Sequence, residues 1–244
     1  MENYVKDSIV GKGAYGTVYK VKCQTTRKIF ALKCHTHRVE EATVRELSCL
    51  AALKGHPYVI QMHDCFLDNG KIATAMPFVP YTLSEVIHNG HGLTLCDKQN
   101  QLLQLIPLSF MAHFSIQVAI ALSYMHRVNI VHRDLTPSNV LLMEDLTIQV
   151  ADMGLTRQSS KQMSSSVVTV SYRAPELFVP DTCADYTCVI DMWSLGVMIV
   201  DVMEGKAVFL QRRHGSETVS TYQLIVRTLC SQRPHLCNIN TLGV

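Results

Sequence analysis

Three short runs of β-branched and aromatic residues open the chain, each framed by polar or glycine positions. Ser8-Ile9-Val10 leads into Gly11-Lys12-Gly13-Ala14-Tyr15-Gly16, Thr17-Val18-Tyr19-Lys20-Val21 follows, and Lys28-Ile29-Phe30-Ala31-Leu32-Lys33 is the third. Such residues suit a pleated, half-buried surface, so the pattern predicts three strands. The period then changes. From about Val39 to Leu53, the apolar positions Val44, Leu47, Leu50, Ala51 and Leu53 form a stripe that predicts an amphipathic helix. A later helix, Met192 to Met203, opened by Asp191, is apolar all round, which predicts burial on every side. Asn89 to Pro107 is an apolar stretch with Leu93, Leu95, Leu102, Leu103, Leu105 and Ile106, ahead of a helix starting near Leu108. Thr156 to Ser166, with five serines, has the composition of a loop.

Two details of this pattern bear on chemistry. A Gly-x-Gly-x-x-Gly run signals a dinucleotide site only when a helix follows it. Here a strand pattern follows, so the segment reads as a flap that lays backbone N–H groups over phosphates, or as an ordinary glycine hairpin. Glu46 lies near the apolar stripe of its helix. It is either solvated or paired, and Lys33 on the preceding strand is the candidate partner.

Composition narrows the classes further. With 244 residues, 48% hydrophobic and 17% charged, the chain has material for one large domain or two small lobes and is not intrinsically disordered. A net charge of +2 without a long basic run gives no support to nucleic-acid or membrane-surface binding. No apolar run approaches the roughly 18 residues of a membrane span, and the polar start Met1 to Asp7 lacks the apolar core of a secretory signal. Nine cysteines without a Cys-x-x-Cys pair predict a reduced, intracellular protein, cytoplasmic or nuclear. The eleven histidines show no metal-ligand spacing.

The specific signal lies in the middle. Residues 131–139 read Val-His-Arg-Asp-Leu-Thr-Pro-Ser-Asn, residues 151–154 read Ala-Asp-Met-Gly, and residues 172–176 read Tyr-Arg-Ala-Pro-Glu. Together with the glycine loop and the strand lysine, in this order, they resemble the eukaryotic protein kinases over about residues 4–230. The resemblance implies an α+β, bilobal fold over residues 1–244. Its small β-rich N-lobe with one key helix would span about 1–77, its hinge 77–82, and its mainly helical C-lobe 83–244 without the family's last helices.

It also implies roles. Asp134 would accept the proton of the substrate hydroxyl, Lys33 would hold the α/β-phosphates of ATP with Glu46 fixing the lysine, and Asn139 and Asp152 would bind Mg²⁺. The glycine loop, Gly11, Lys12, Gly13, Ala14, Tyr15, Gly16 and Thr17, would cover the nucleotide. Val10, Val18, Ala31 and Leu141 would sandwich the adenine, Met76 would stand behind it, and Pro77, Phe78 and Val79 would be the hinge. Leu50, Met62, His132 and Met153 would stack as a spine between the lobes, and Asp191 would accept from backbone N–H groups of the His-Arg-Asp loop.

Met1 to Tyr4, Thr43 to Leu47, Val167 to Glu176 and Asp191 to Gly196 are most similar to the cyclin-dependent and mitogen-activated group. That implies a proline-directed serine/threonine kinase, with Thr169 and Arg173 at the substrate pocket. Arg45, Arg133 and Arg157 match a phosphate pocket, with Ser164 in the phosphorylated position and Ser165 and Ser166 beside it. Tyr15 matches an inhibitory phosphotyrosine, without its usual threonine neighbour because Ala14 stands there. The partners implied are a protein substrate, an upstream kinase and a cyclin-like activator, with no nucleic acid and no membrane.

The chain also departs from the family. Thr136 replaces a lysine that normally touches the transferred phosphate, and losing such a donor costs about 10²–10³ in rate. Ser171 replaces a tryptophan and Met153 a phenylalanine. Glu176 lacks the arginine that pairs with it in the family, with Arg212, Arg213, Arg227 or Arg233 as substitutes. The alternative reading is therefore a weak or inactive kinase-like scaffold that binds nucleotide or a cyclin-like partner. A dinucleotide-dependent oxidoreductase is more distant.

Overall fold

A computed structural model describes residues 3–13, 16–36, 40–89, 93–96, 102–158, 169–178, 187–214 and 217–230. The chain opens with β1 (Tyr4–Gly13), β2 (Gly16–Cys23) and β3 (Ile29–His35), then α1 (Glu41–Ala52), β4 (Asp64–Asp68) and β5 (Lys71–Pro77). These strands form one sheet in the order β1-β2-β3-β5-β4, antiparallel throughout. Its inner residues Tyr4, Val21, Phe30, Leu32, Ala73 and Ala75 make a small core of their own.

The chain then passes through β6 (Tyr81–Thr82) and α2 (Leu83–Asn89) to β7 (Leu93–Cys96), β8 (Leu102–Leu105), α3 (Leu108–Arg127) and β9 (Ile130–Val131). β10 (Val140–Leu142), β11 (Ile148–Val150) and β12 (Arg157–Gln158) follow. The described part ends with α4 (Val189–Glu204), β13 (Arg212–His214), β14 (Glu217–Val219) and α5 (Thr221–Cys230). The result is a bilobal protein-kinase fold, a β-rich lobe with one helix above a mainly helical lobe. The lobes are tied together by backbone. Val59 bridges Val150 in parallel, with Ile60 N–H donating to Val150 O and Val150 N–H to Tyr58 O, each at 2.9 Å.

One unassigned stretch gains a structure, and two expectations change. The apolar stretch from Asn89 to Pro107 contains a hairpin, β7 paired with β8. Helix α3 has membrane-spanning length and a mean hydropathy of 1.4, contrary to the sequence expectation. One face of it packs, with Phe114, Val118, Ala121, Leu122 and Met125 buried in the main core, while Leu108, Ile116 and Ile120 are exposed. And α4 is not buried on every side. Val189, Met192, Val200 and Met203 follow one another at helical spacing and are exposed, Met203 by 59%. A uniformly apolar composition says that a helix has no polar face; it does not say that a neighbour exists for every face.

Candidate functional site

Helix α1 is placed by Thr43, Glu46 and Leu50, which are buried on one of its faces. Burying Glu46, only 5% exposed, requires a counter-charge. Lys33 on β3 supplies it, with Nζ 2.6 Å from Glu46 Oε1 and 3.0 Å from Asp152 Oδ1. One cation thus joins β3, α1 and the turn after β11. Burial alone would pull Lys33 down, but Asp152 and Glu46 hold the ammonium above the usual lysine range. Burial would likewise raise Asp152, and Lys33 overrides it and holds the carboxyl below its usual range. Asp152 also has a left-handed backbone, φ 61°, and accepts from Gly154 N–H. A Cβ on Gly154 would stand 3.2 Å from Asp152 Oδ1 and 3.8 Å from Glu46 Oε2, crowding the carboxylates that flank the ammonium.

These groups face a cavity of about 510 Å³ between the lobes. Of the residues expected around a nucleotide, Val10, Gly11, Lys12, Gly13, Gly16, Val18, Ala31, Lys33, Met76, Pro77, Phe78, Val79, Leu141 and Asp152 line it, as do Glu46 and Asn139. Thr17 does not. Side chains alternate along β2, so Gly16 and Val18 face the cavity and Thr17 points away. Ala14 and Tyr15 lie outside the described residues. Leu50 and Met153 belong to the main core with Met62 packed against it, and His132 is fully buried with its Nε2 3.0 Å from Ala151 O.

A second cavity, about 440 Å³, holds Asp134, Thr136, Thr169 and Ser171, with Ser84 and His88 from α2. It shares Ser138 and Asn139 with the first. Asp134 is oriented from three sides. Thr169 Oγ1 and N–H donate to its Oδ1 at 2.9 and 3.2 Å, Asn139 Nδ2 donates to its backbone carbonyl at 2.8 Å, and its own N–H donates to His132 Nδ1 at 3.3 Å. Thr136 is buried next to it. Arg173 is not in this lining. Its guanidinium lies over the Phe178 ring, 5.5 Å from the centroid.

The loop that carries Asp134 hangs on α4. Asp191 accepts from the backbone N–H groups of His132 and Arg133, both at 2.9 Å, the donors expected for it. Arg133 is held with φ 71°, a strained conformation for a non-glycine residue. Two further anchors were not legible as such. His126 Nε2 lies 2.8 Å from Asp191 Oδ2. Tyr172 donates its hydroxyl to Asp201 at 2.9 Å, Ser194 Oγ donates to Tyr172 O at 2.9 Å, and Val208 N–H completes Asp201 at 2.8 Å. The only sequence cue was a polar residue at an otherwise apolar helix position.

Of the expected phosphate pocket, Arg45 pairs with Glu41 one turn earlier, Arg133 is buried and donates to Leu155 O at 3.4 Å, and Arg157 sits on β12 paired with Val131. Ser164, Ser165 and Ser166 lie outside the described residues. Glu176 is exposed and has no salt bridge among the described residues, and Arg233, one of the partners expected for it, lies outside them.

Comparison with known proteins agrees with this geometry. Residues 4–239 match the model of the protein kinase domain. The chain is 31% identical to the mitogen-activated protein kinase HOG1B of Wallemia ichthyophaga, over 94% of this chain and 61% of that protein. It is 32% identical to mitogen-activated protein kinase 15 of Caenorhabditis elegans, over 96% of this chain and 49% of the other. A probable cell division protein kinase of Encephalitozoon cuniculi is 31% identical over 94% of this chain and 69% of its own length. The chain therefore spans between about half and two thirds of these relatives. The match over nearly the whole chain, and the kinds of kinase it resembles, show that it belongs to the protein kinase family, alongside the cyclin-dependent and mitogen-activated kinases.

Proposed function

We propose that the chain transfers the γ-phosphate of ATP to serine or threonine hydroxyls of protein substrates. The observation that carries this is the meeting of the two cavities at Ser138 and Asn139, one with Lys33 and Asp152 at its wall, the other with Asp134. The first suits a nucleotide. It is apolar around Val18, Ala31, Met76 and Leu141. At its glycine end, a Cβ on Gly11 or Gly13 would meet nothing within 4 Å, so a phosphate chain has room to approach the backbone.

Lys33, kept charged by Glu46 and Asp152, would bind phosphate oxygens. Asp134, its Oδ1 already held by Thr169, would orient the acceptor hydroxyl and take its proton. Asn139 and Asp152 fit Mg²⁺, which takes one or two protein oxygens and fills the rest with phosphate and water; when bound, the ion neutralises phosphate charge. A proline preference after the acceptor, read from Thr169 and Arg173, and switching by phosphorylation at Ser164 belong to the same proposal.

The test is transfer of labelled γ-phosphate to a generic protein substrate, with Asp134→Asn as control. Transfer above that control supports the reading, and none from folded protein, with or without a cyclin-like partner, overturns it. One observation favours a second reading, a nucleotide-binding scaffold with little turnover. Thr136 is buried beside Asp134, and no lysine or arginine lines the acceptor cavity among the described residues. Nucleotide binding without transfer in the same assay is its signature.

A further inference from the structure

Lys33 and His35 share one face of β3, two residues apart, and that face is covered by α1. His35 is only 5% exposed. Its Nδ1 lies 3.4 Å from the hydroxyl of Thr43, which is itself buried on α1. Its Nε2 is buried and has no hydrogen-bond partner among the described residues. A ring held this way has a place for its neutral form and none for the second N–H of an imidazolium, which would be desolvated and unpaired.

The charged groups around it come from each packed element. Glu46 faces it from α1, Lys33 from β3 itself and Asp152 from the turn after β11, while its β2 neighbour is Gly16. Burial is the largest influence and, with Lys33, outweighs the two carboxylates, so the ring sits below its usual value of 6.5.

We propose that His35 is a positioning residue for the Lys33–Glu46 pair, its neutral ring pinning the first turn of α1 to β3 through Thr43, and that acidification releases this hold. The docked helix keeps His35 proton-free, whereas a displaced helix gives the ring to water. Docking is therefore fully present above the usual histidine range and is lost as pH falls through it. The consequence for catalysis rests on the kinase reading, because Glu46 must stay on Lys33 for the lysine to hold phosphate. The conformational claim does not.

The experiment is hydrogen exchange of the α1 amides, corrected for the pH dependence of intrinsic exchange, at pH values about one unit either side of the usual histidine range. Wild-type protection should fall on the acid side, by up to about tenfold, the limit set by protonating the freed ring about one pH unit below its usual value. His35→Gln keeps a partner for Thr43 without titrating, and should change less than about twofold between the same pH values. Thr43→Val should lower protection already at the higher pH. Wild-type protection that does not respond to pH overturns the proposal. So does His35→Gln that loses protection equally at both pH values, or that keeps the wild-type pH response. Binding of a fluorescent ATP analogue to the same samples separates the two readings. Acid-sensitive α1 without nucleotide binding overturns the kinase reading and supports this one; acid-insensitive α1 overturns this one whether or not the nucleotide binds.

Discussion

In the cleft, the carboxylates of Glu46 and Asp152 are held by a cation, Lys33. Along α4, Asp191 and Asp201 are held by backbone N–H groups, a histidine ring and a tyrosine hydroxyl. The first arrangement leaves Asp152 about half exposed at the cavity wall, its charge available. The second buries both acids almost completely and spends every acceptor on internal donors. The difference separates two uses of a buried acid. A cation-held carboxylate belongs to chemistry that must meet a ligand, and a donor-held one belongs to architecture that must not move.

Removing an architectural acid should have the largest effect. Asp191→Ala leaves three donors unsatisfied at about 1–3 kcal/mol each. Thermal unfolding should shift down by about 10 °C or more, at about 2–4 °C per kcal/mol for a chain of this size. A shift below about 3 °C would mean that Asp191 is replaceable by water. Asp152→Asn should do the opposite in kind, lowering phosphate transfer by about 10²–10³ while moving the melting temperature little, because that side chain is about half exposed and Lys33 stays paired with Glu46. If Asp152→Asn unfolds the protein instead, the cleft network is structural and the contrast disappears.

Thr136→Lys adds the missing cation beside Asp134 and should raise transfer by about tenfold or more; no gain would assign the charge to another residue. Tyr172→Phe takes one donor from Asp201 while Val208 N–H remains, a loss of about 1 kcal/mol measurable by denaturant titration.

The pH response should be the subtlest sign of the contrast. Asp152 lies below its usual range, so its contribution to stability is present above the unfolded value near about 3.9 and is lost as pH falls through the folded value. Burial first, opposed by Val208 N–H and Tyr172, leaves Asp201 above its usual range. Its contribution has the other sign, present in acid and lost as pH rises through the folded value. On acidification the cleft should therefore loosen before α4. Trp193, the chain's single tryptophan, lies on α4 and reports it by fluorescence. Its transition should come at lower pH than amide exchange around Asp152, and coincident transitions would show one cooperative unit.

The parts legible in the sequence are those where chemistry restricts residue type and spacing. Lys33, Asp134, Asn139 and Asp152 stand in short motifs, and the structure brings them together around two adjoining cavities. His126, Tyr172 and Asp201 were not legible as anchors, because their partners are 65 and 29 residues away in sequence and nothing local marks the pairing. Strands β1, β2 and β3 and helix α1 were visible from period alone, with α1 starting at Glu41 rather than near Val39. The exposed stripe of α4 was not, since composition reports apolarity without reporting neighbours.

Helix α4 also works as a ruler. Asp191 fixes the loop of Asp134, and Asp201, through Tyr172, fixes the segment that carries Thr169. The ten helical steps from one acid to the other span about 15 Å of rigid rod at about 1.5 Å per residue. A single residue added between them would turn one anchor by about 100° about the helix axis relative to the other. The loop and the segment would then no longer meet at Asp134 Oδ1, so this length of helix should tolerate substitutions on its outer stripe far better than any change in its number of residues.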